Sequence, residues 1–298
     1  MRPTPPATPP AALLHSAFYR FTPLADPPAA AAMLRGLAQH LHGSIVVAAE
    51  GLSGTVAGTS DAVACFEAGL QQALLLDGVL AGMVFKHSAC KTAPFGRLKV
   101  SVKPEIVALG LPALPSGPPL PPPDEHDASH LAPAAWRRLL AQDGVVLLDN
   151  RNHFEFRLGH FRGAVDPQVN NFRDFVAYVQ DQAPGWRAAG RPVAMYCTGG
   201  IRCDKTAPWL RSLGLAVWQL DGGLLNYFQT EAGDPSALTS GAPPDSVWQG
   251  ECFVFDKRIA LDAQLQETAT TAEQVFDAQL PDEAWRLQRA QRLAAPDA

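Results

Sequence analysis

Residues 193–203 read Val193-Ala194-Met195-Tyr196-Cys197-Thr198-Gly199-Gly200-Ile201-Arg202-Cys203. A short apolar run that stops at a cysteine and a glycine pair predicts a buried strand over 193–196, a tight loop, and a helix over 204–213. The two glycines let successive backbone N–H groups converge on one point, and the helix adds the positive end of its dipole. Arg202 adds a full charge. A thiol held there ionises more readily than a free one, and the thiolate is the nucleophile. Cys197 is therefore the candidate catalytic residue, with Arg202 orienting the loop and stabilising negative charge beside it. The competing reading is a buried, inert cysteine next to a glycine turn. Cys203, six positions after Cys197, is open to two readings: a partner that resolves an oxidised Cys197, or a core residue at a helix N-terminus.

The same strand pattern recurs on either side. Gly144–Leu148 and Val217–Leu220 are short apolar runs ending at Asp149 and at Asp221-Gly222-Gly223, with helices expected over 172–182 and 204–213. Buried strands alternating with helices predict an α/β domain over 130–230 with a parallel sheet covered on both faces. Ligands bind such sheets at the carboxyl ends of the strands, where Asp149, Cys197 and Asp221 sit.

Upstream, residues 111–127 read LPALPSGPPLPPPDEHD. Proline fixes φ and lacks the N–H, so this segment predicts a semi-rigid extended linker. It sets off a first domain, 15–110, with strands at His15–Phe21, Ser44–Ala49 and Gly82–His87 and helices at Pro27–Leu41 and Asp61–Leu75. Glu50–Gly54 reads as a turn leading into a further strand. The order β-α-β-β-α-β is that of a ferredoxin-like α+β sandwich. Residues 231–298 form a C-terminal extension expected to be partly disordered, its extreme tail a loose helix or unstructured.

The 298 residues are 47% hydrophobic and 18% charged, with a net charge of −5, which excludes an intrinsically disordered chain and a globally basic nucleic-acid binder. No apolar run reaches membrane-span length, and the opening MRPTPPATPPAALL carries five prolines where a signal peptide has its apolar core. A cytoplasmic protein without membrane contact is expected. Five cysteines without a C-x-x-C pair fit a reducing compartment and argue against structural zinc. Cys65 and Cys252 read as core.

One local charge pattern runs against the acidic whole. Between 86 and 103 lie Lys86, Lys91, Arg97, Lys99 and Lys103, with His87 and no acidic residue. Arg97–Lys103 alternates strictly, so a strand there carries Arg97, Lys99 and Lys103 on one face. The patch suits RNA phosphates, with Lys205, Arg162 and Arg173 extending a basic path toward Cys197. A solvated edge strand defended by lysines is the alternative.

Asp149-Asn150-Arg151, Glu155-Phe156, Gly159–Ala164, the loop Cys197–Arg202 and Asp221-Gly222-Gly223 resemble, in order and spacing, the signatures of a rhodanese domain. The four residues between Cys197 and Arg202 resemble the sulfur-handling rhodaneses, since related phosphatases use one more. Asp149, Arg151 and His160 read as residues that knit the domain together. Phe18–Phe21, Ala49–Gly58, Pro94–Val100, Glu105–Gly110 and Trp248–Asp256 are in turn similar to the rhodanese-related tRNA uridine hydroxylases. That resemblance covers 17–262 and implies an acylphosphatase-like (ferredoxin-like) domain ahead of the rhodanese domain. It implies an oxidoreductase that hydroxylates C5 of the wobble uridine of tRNA to 5-hydroxyuridine, with molecular oxygen as co-substrate. No flavin, haem or 2-His-1-carboxylate pattern is present, so no organic or metal cofactor is expected; no obligate protein partner is inferred. Many relatives continue into a cysteine-rich segment that looks metal-binding, whereas this chain has no cysteine after Cys252. From the loop alone, a sulfurtransferase carrying a persulfide on Cys197, or an RNA-binding module whose rhodanese domain only docks a partner, stay open.

Overall fold

Why the first sheet forms is legible in its alternation. In a computed structural model describing residues 13–72, 78–111, 129–232 and 247–294, strands β1 (Leu13–Phe21), β2 (His42–Ala48), β3 (Gly51–Thr59), β4 (Phe85–Cys90) and β5 (Leu98–Val102) pair in the order β4-β1-β3-β2-β5. The first four follow the ferredoxin-like arrangement, and β5 adds a fifth strand parallel to β2. Helices α1 (Pro27–Leu37) and α2 (Ser60–Gln71) bury Leu34, Phe66 and Leu70 against Phe18, Ile45, Leu52 and Val56 on one face of the sheet. Asp26 and Thr59 cap the two helices by accepting the N–H groups of Ala29 and Ala62. Two expectations are corrected here. Residues 51–54 belong to β3 rather than to a turn, because β2 and β3 join directly after Ala48. Cys65 is exposed, since the buried stripe of α2 runs through Val63, Phe66 and Leu70 and misses it.

The second sheet is parallel, with the order β6 (His130–Leu131), β10 (Val217–Leu220), β9 (Val193–Tyr196) and β7 (Val146–Asp149). Between these strands lie α3 (Pro133–Leu140), α4 (His153–Leu158), the short strand β8 (Gly159–Phe161), α5 (Phe175–Ala188) and α6 (Ile201–Ser212), with α7 (Gly223–Ala232) following β10. Two apolar clusters cover the faces of this sheet, one centred on Phe175, Val179 and Leu210, the other on Trp136, Phe161 and Phe228. The proline-rich segment lies, apart from Leu111, outside the described residues.

The C-terminal extension is structured over 247–294, and its last described stretch is a helix. Strand β11 (Trp248–Gly250) pairs antiparallel with β8, and β12 (Cys252–Phe253) with β13 (Ala260–Leu261). Helices α8 (Ala272–Val275) and α9 (Pro281–Ala294) then pack Val275, Phe276 and Leu287 on Phe154 and Phe253. Arg157 holds Glu283 of α9 at 2.7 Å.

Sequence-distant polar ties fix one domain on the other. The Tyr19 hydroxyl donates to Asp204 Oδ2 at 2.7 Å, and His130 Nε2 lies 2.9 Å from the other oxygen of the same carboxylate. Lys205 pairs with Glu50 and, at 3.1 Å, with Glu105. From the extension, Glu267 accepts the backbone N–H groups of Lys91 and Thr92 at 2.8 and 3.1 Å. Arg258 is gripped by Asp256 and reaches Ser88 and Cys90 of β4.

Candidate active site

The cysteine loop is built from its ends inward. Strand β9 delivers Cys197 at its carboxyl end, and α6 begins at Ile201. Gly200 between them has φ +97, a left-handed value that favours glycine, and a side chain there would meet the Tyr19 hydroxyl at 2.7 Å. The start of α7 closes the loop from behind: Leu224 and Leu225 donate N–H groups to the carbonyls of Cys197 and Thr198, each at 3.0 Å. This approach requires Gly223, whose φ is +68 and whose Cβ would sit 2.5 Å from the Cys197 carbonyl oxygen.

Cys197 is buried, and its Sγ accepts the Gly200 N–H at 3.2 Å. Burial pushes its thiol up. A hydrogen bond from the Cys203 thiol, the Arg202 charge and the N–H groups of Cys203 and Arg202 outweigh that and bring it from 9.0 down to about 6. At neutral pH roughly nine-tenths of it is thiolate. Cys203 is equally buried, and burial together with its donation to Cys197 holds its own thiol well above the ordinary value. The two cysteines thus form a thiolate and its thiol donor.

Arg202 is anchored from below. Its Nη1 and Nη2 donate to the two oxygens of Glu155, both at 2.7 Å, with Glu155 fully buried. Glu155 is also the third residue of α4 in a capping box with Asn152. Burial raises the Glu155 carboxyl, but the Arg202 charge and hydrogen bonds more than offset it and hold the carboxyl below its ordinary value. Sequence reasoning passed Glu155 over as a site residue, although the Asn152-x-x-Glu155 capping pattern marks it as fixed at a helix start. Asp149 and Arg151 form a buried bidentate pair, with Arg151 also donating to the Gly159 carbonyl at 2.6 Å. His160 stacks on Phe156 at 4.0 Å. All three knit the domain together, outside the cavity wall.

Above Cys197 lies a cavity of about 680 Å³ with walls from three parts of the chain. The loop contributes Cys197, Thr198 and Gly199; the first sheet contributes Tyr19, Ser53, Thr55 and Lys86; the extension contributes Phe255 and Trp285. The sheet wall is the face opposite α1 and α2. Register aligns Lys86, Ala17, Thr55, Ser44 and Lys99 in one cross-strand row, lysines at both ends and small residues between. His15, on the same wall, is a neutral imidazole, lowered to about 4 by burial and the Arg258 charge against the opposing pull of Asp256.

The basic residues are not brought together as one patch. Lys86 reaches into the site: its ammonium donates to the Gly199 carbonyl and lies 5.0 Å over the Tyr19 ring. Lys91 is exposed at the end of β4, beside the loop that Glu267 holds. Arg97, Lys99 and Lys103 are exposed on or beside β5, at the far edge of the sheet from β4. Lys205 lies outside the cavity wall and is taken up by Glu50 and Glu105, so it is an interdomain tie rather than an open phosphate contact. Tyr19, His130 and Asp204, none of them singled out from sequence, join the two domains behind the loop. Among the described residues no group of three or more His, Cys, Asp or Glu is arranged to hold a metal ion, and no helix is long and apolar enough to cross a membrane.

Known proteins match this architecture. Residues 14–106 match the UPF0176 acylphosphatase like domain and residues 132–230 the Rhodanese-like domain. A tRNA uridine(34) hydroxylase of Synechococcus elongatus is 44% identical over 252 residues, which is 84% of this chain and 85% of the relative. Similar proteins of the same name occur in Jannaschia sp., 41% identical over 85% of this chain and 77% of the relative, and in Deinococcus radiodurans, 40% identical over the same shares.

Proposed function

The chain belongs to the tRNA uridine(34) hydroxylase family, and from that premise we propose that it hydroxylates C5 of the wobble uridine of tRNA, using molecular oxygen and the Cys197 thiolate. The observation that carries the reading is a thiolate at the floor of a cavity whose opposite wall is a sheet face from another domain, bearing Lys86 and the small polar residues Ser53 and Thr55. A base inside a folded loop must leave its stack to reach such a floor, and an unpaired wobble base does so at least cost.

The thiolate adds to C6 of the uracil, forming a C–S bond and placing electron density on C5, where oxygen is taken up. Loss of the C5 proton and of the sulfur restores the ring. One atom of dioxygen ends in the C5 hydroxyl, and the other leaves as water. The two electrons this requires come from Cys197 and Cys203, which close as a disulfide; the Cys203 thiol supplies one of the two protons and solvent the other. Uracil C5–H, dioxygen, a thiolate, a thiol and one proton go in; C5–OH, water and one disulfide come out, and a cellular thiol reductant resets the pair. Arg202, held by Glu155, stabilises negative charge on the sulfur. The names of the relatives weigh against the persulfide-carrier alternative. Nucleoside mass spectrometry of tRNA from cells lacking the gene, complemented with wild type or Cys197→Ser, tests the reading. 5-Hydroxyuridine should return with wild type alone. Thiolated uridine tracking Cys197, with oxidised uridine unaffected, would overturn it.

A further inference from the structure

The C-terminal extension lies beyond both matched domains, yet it carries part of the cavity wall, and its exposed residues there are aromatic. Phe255 is 58% exposed and Trp285 43% exposed. Folding alone does not call for this. Phe255 meets Phe253 edge-on at 4.9 Å and leaves its outer side open. Trp285 stands on α9 among exposed Asp282, Gln288 and Arg289, away from the buried positions Glu283 and Leu287. Both rings line the cavity that contains Cys197, and both also line a shallow groove that runs out from it. Large apolar surface grouped at a site, rather than scattered singly, marks an interaction surface.

The charges around the rings say what kind of partner fits. The Arg286 guanidinium lies 4.4 Å over the Trp285 ring and donates to the Asn170 carbonyl and to Asn171 Oδ1 at 2.7 and 2.8 Å. Among the described residues no carboxylate is within ion-pair distance of it. Arg173 stands on the same wall and Arg289 on the groove. Of the wall's carboxylates, Asp256 is paired with Arg258, and the exposed Asp174 accepts the Asn171 N–H beside Arg173. Open aromatic faces interleaved with cations suit single-stranded nucleic acid, whose bases stack while its phosphates pair.

We propose that Phe255 and Trp285 form a stacking shelf for a nucleobase next to the target uridine, with Arg286 and Arg173 taking the phosphates beside it. The inference rests on the tRNA reading above and adds the part of the chain that holds the loop once the uridine is drawn in. The shelf and the Cys197 floor share one cavity, so a strand whose uridine reaches the floor passes the shelf within the same space.

The test uses the full chain and an anticodon stem–loop RNA carrying the fluorescent base 2-aminopurine on either side of the target uridine. Wild type should quench the probe on one side. Phe255→Leu with Trp285→Leu keeps apolar bulk but removes both π-faces. It should abolish the quench and weaken binding roughly tenfold, within the range that loss of a base-stacking platform brings. Trp285→Phe alone should keep most of the quench. Equal affinity and quench in wild type and the leucine variant would overturn the shelf while leaving the tRNA reading intact. Failure of wild type to bind the stem–loop would overturn the tRNA reading itself. A change in oligomeric state with unchanged RNA affinity would assign the face to a second copy of the chain and also overturn the proposal.

Discussion

Replacing Cys203 separates two things that this residue does. In the wild type, burial works against the Cys197 thiolate, and the Cys203 S–H is the first of the groups that overcome it, ahead of Arg202 and the two backbone N–H groups. A hydrogen bond to a charged group contributes about 1.5–3 kcal/mol, which corresponds to roughly one to two pH units. Cys203→Ala should therefore raise the Cys197 titration from about 6 toward the ordinary thiol range. At neutral pH the thiolate fraction should fall from roughly nine-tenths to between about a half and a tenth. The sign is fixed by the chemistry: losing a donor to the anion favours the protonated thiol, so the active form now appears at higher pH. Cys203→Ser behaves differently, because a hydroxyl also donates. It should keep the titration near the wild-type position while losing the second thiol that the oxygen balance needs. The assay is thiolate absorbance near 240 nm against pH, each variant referenced to the same background carrying Cys197→Ser. It is paired with hydroxylation of tRNA in the presence and absence of an added thiol. A titration in Cys203→Ala unmoved from that of wild type would refute the hydrogen-bond argument. Full, reductant-independent turnover by Cys203→Ser would refute the dithiol as the source of electrons.

Four further outcomes follow from the geometry. Glu155→Ala leaves the Arg202 guanidinium, 9% exposed, without its buried partner, and should cost about 3–5 kcal/mol of stability by denaturant titration, with Glu155→Gln costing less. Lys99→Glu with Lys103→Glu should weaken tRNA binding and flatten its dependence on salt by about one unit of logarithmic slope per lost phosphate contact. Lys205→Ala, by contrast, should leave that slope unchanged, because Lys205 is occupied by Glu50 and Glu105. Gly223→Ala puts a Cβ against the Cys197 carbonyl at 2.5 Å. Hydroxylation should be lost with far-UV circular dichroism retained, and undiminished activity would contradict the tight fit behind the loop.

What could be read from the sequence and what could not divides by range. The parallel sheet was legible because its strands are short apolar runs ending in polar or glycine residues, a local signal that Val193–Tyr196 and Val217–Leu220 carry without ambiguity. The cysteine loop was legible for the same reason: every group that tunes Cys197 lies within six positions of it. Glu155 was not, because its partner Arg202 is 47 positions away. Nor was the tie between Tyr19 and Asp204, 185 positions apart, or the hold of Glu267 on the Lys91 backbone across 176. The spread of the basic residues has a topological reason. Lys86 and Lys99 are close in sequence, but β4 and β5 are opposite edges of one sheet with three strands between them.

That separation gives the sheet its function in the site. On β1, β2, β3 and β5 the residues facing the helices are Phe18, Ile45, Leu52, Val56 and Val100. The residues that alternate with them include Ala17, Ser44, Ser53, Thr55 and Lys99, and also Tyr19, Phe21, Val46 and Ala48. Large side chains therefore build one face into a core, while on the other Tyr19, Phe21, Val46 and Ala48 pack on Ile106 and Ile201 and the small residues Ala17, Ser53 and Thr55 are left beside the cavity. That part of the face can serve as a wall for a polar ligand. Lys86 brings charge to the cavity end of its cross-strand row, and Lys99 stands exposed at the far end. The alternation is written in the sequence strand by strand, but the cross-strand row exists only once register is set. That is why a pattern fully present in the sequence acquires its meaning only in the folded sheet.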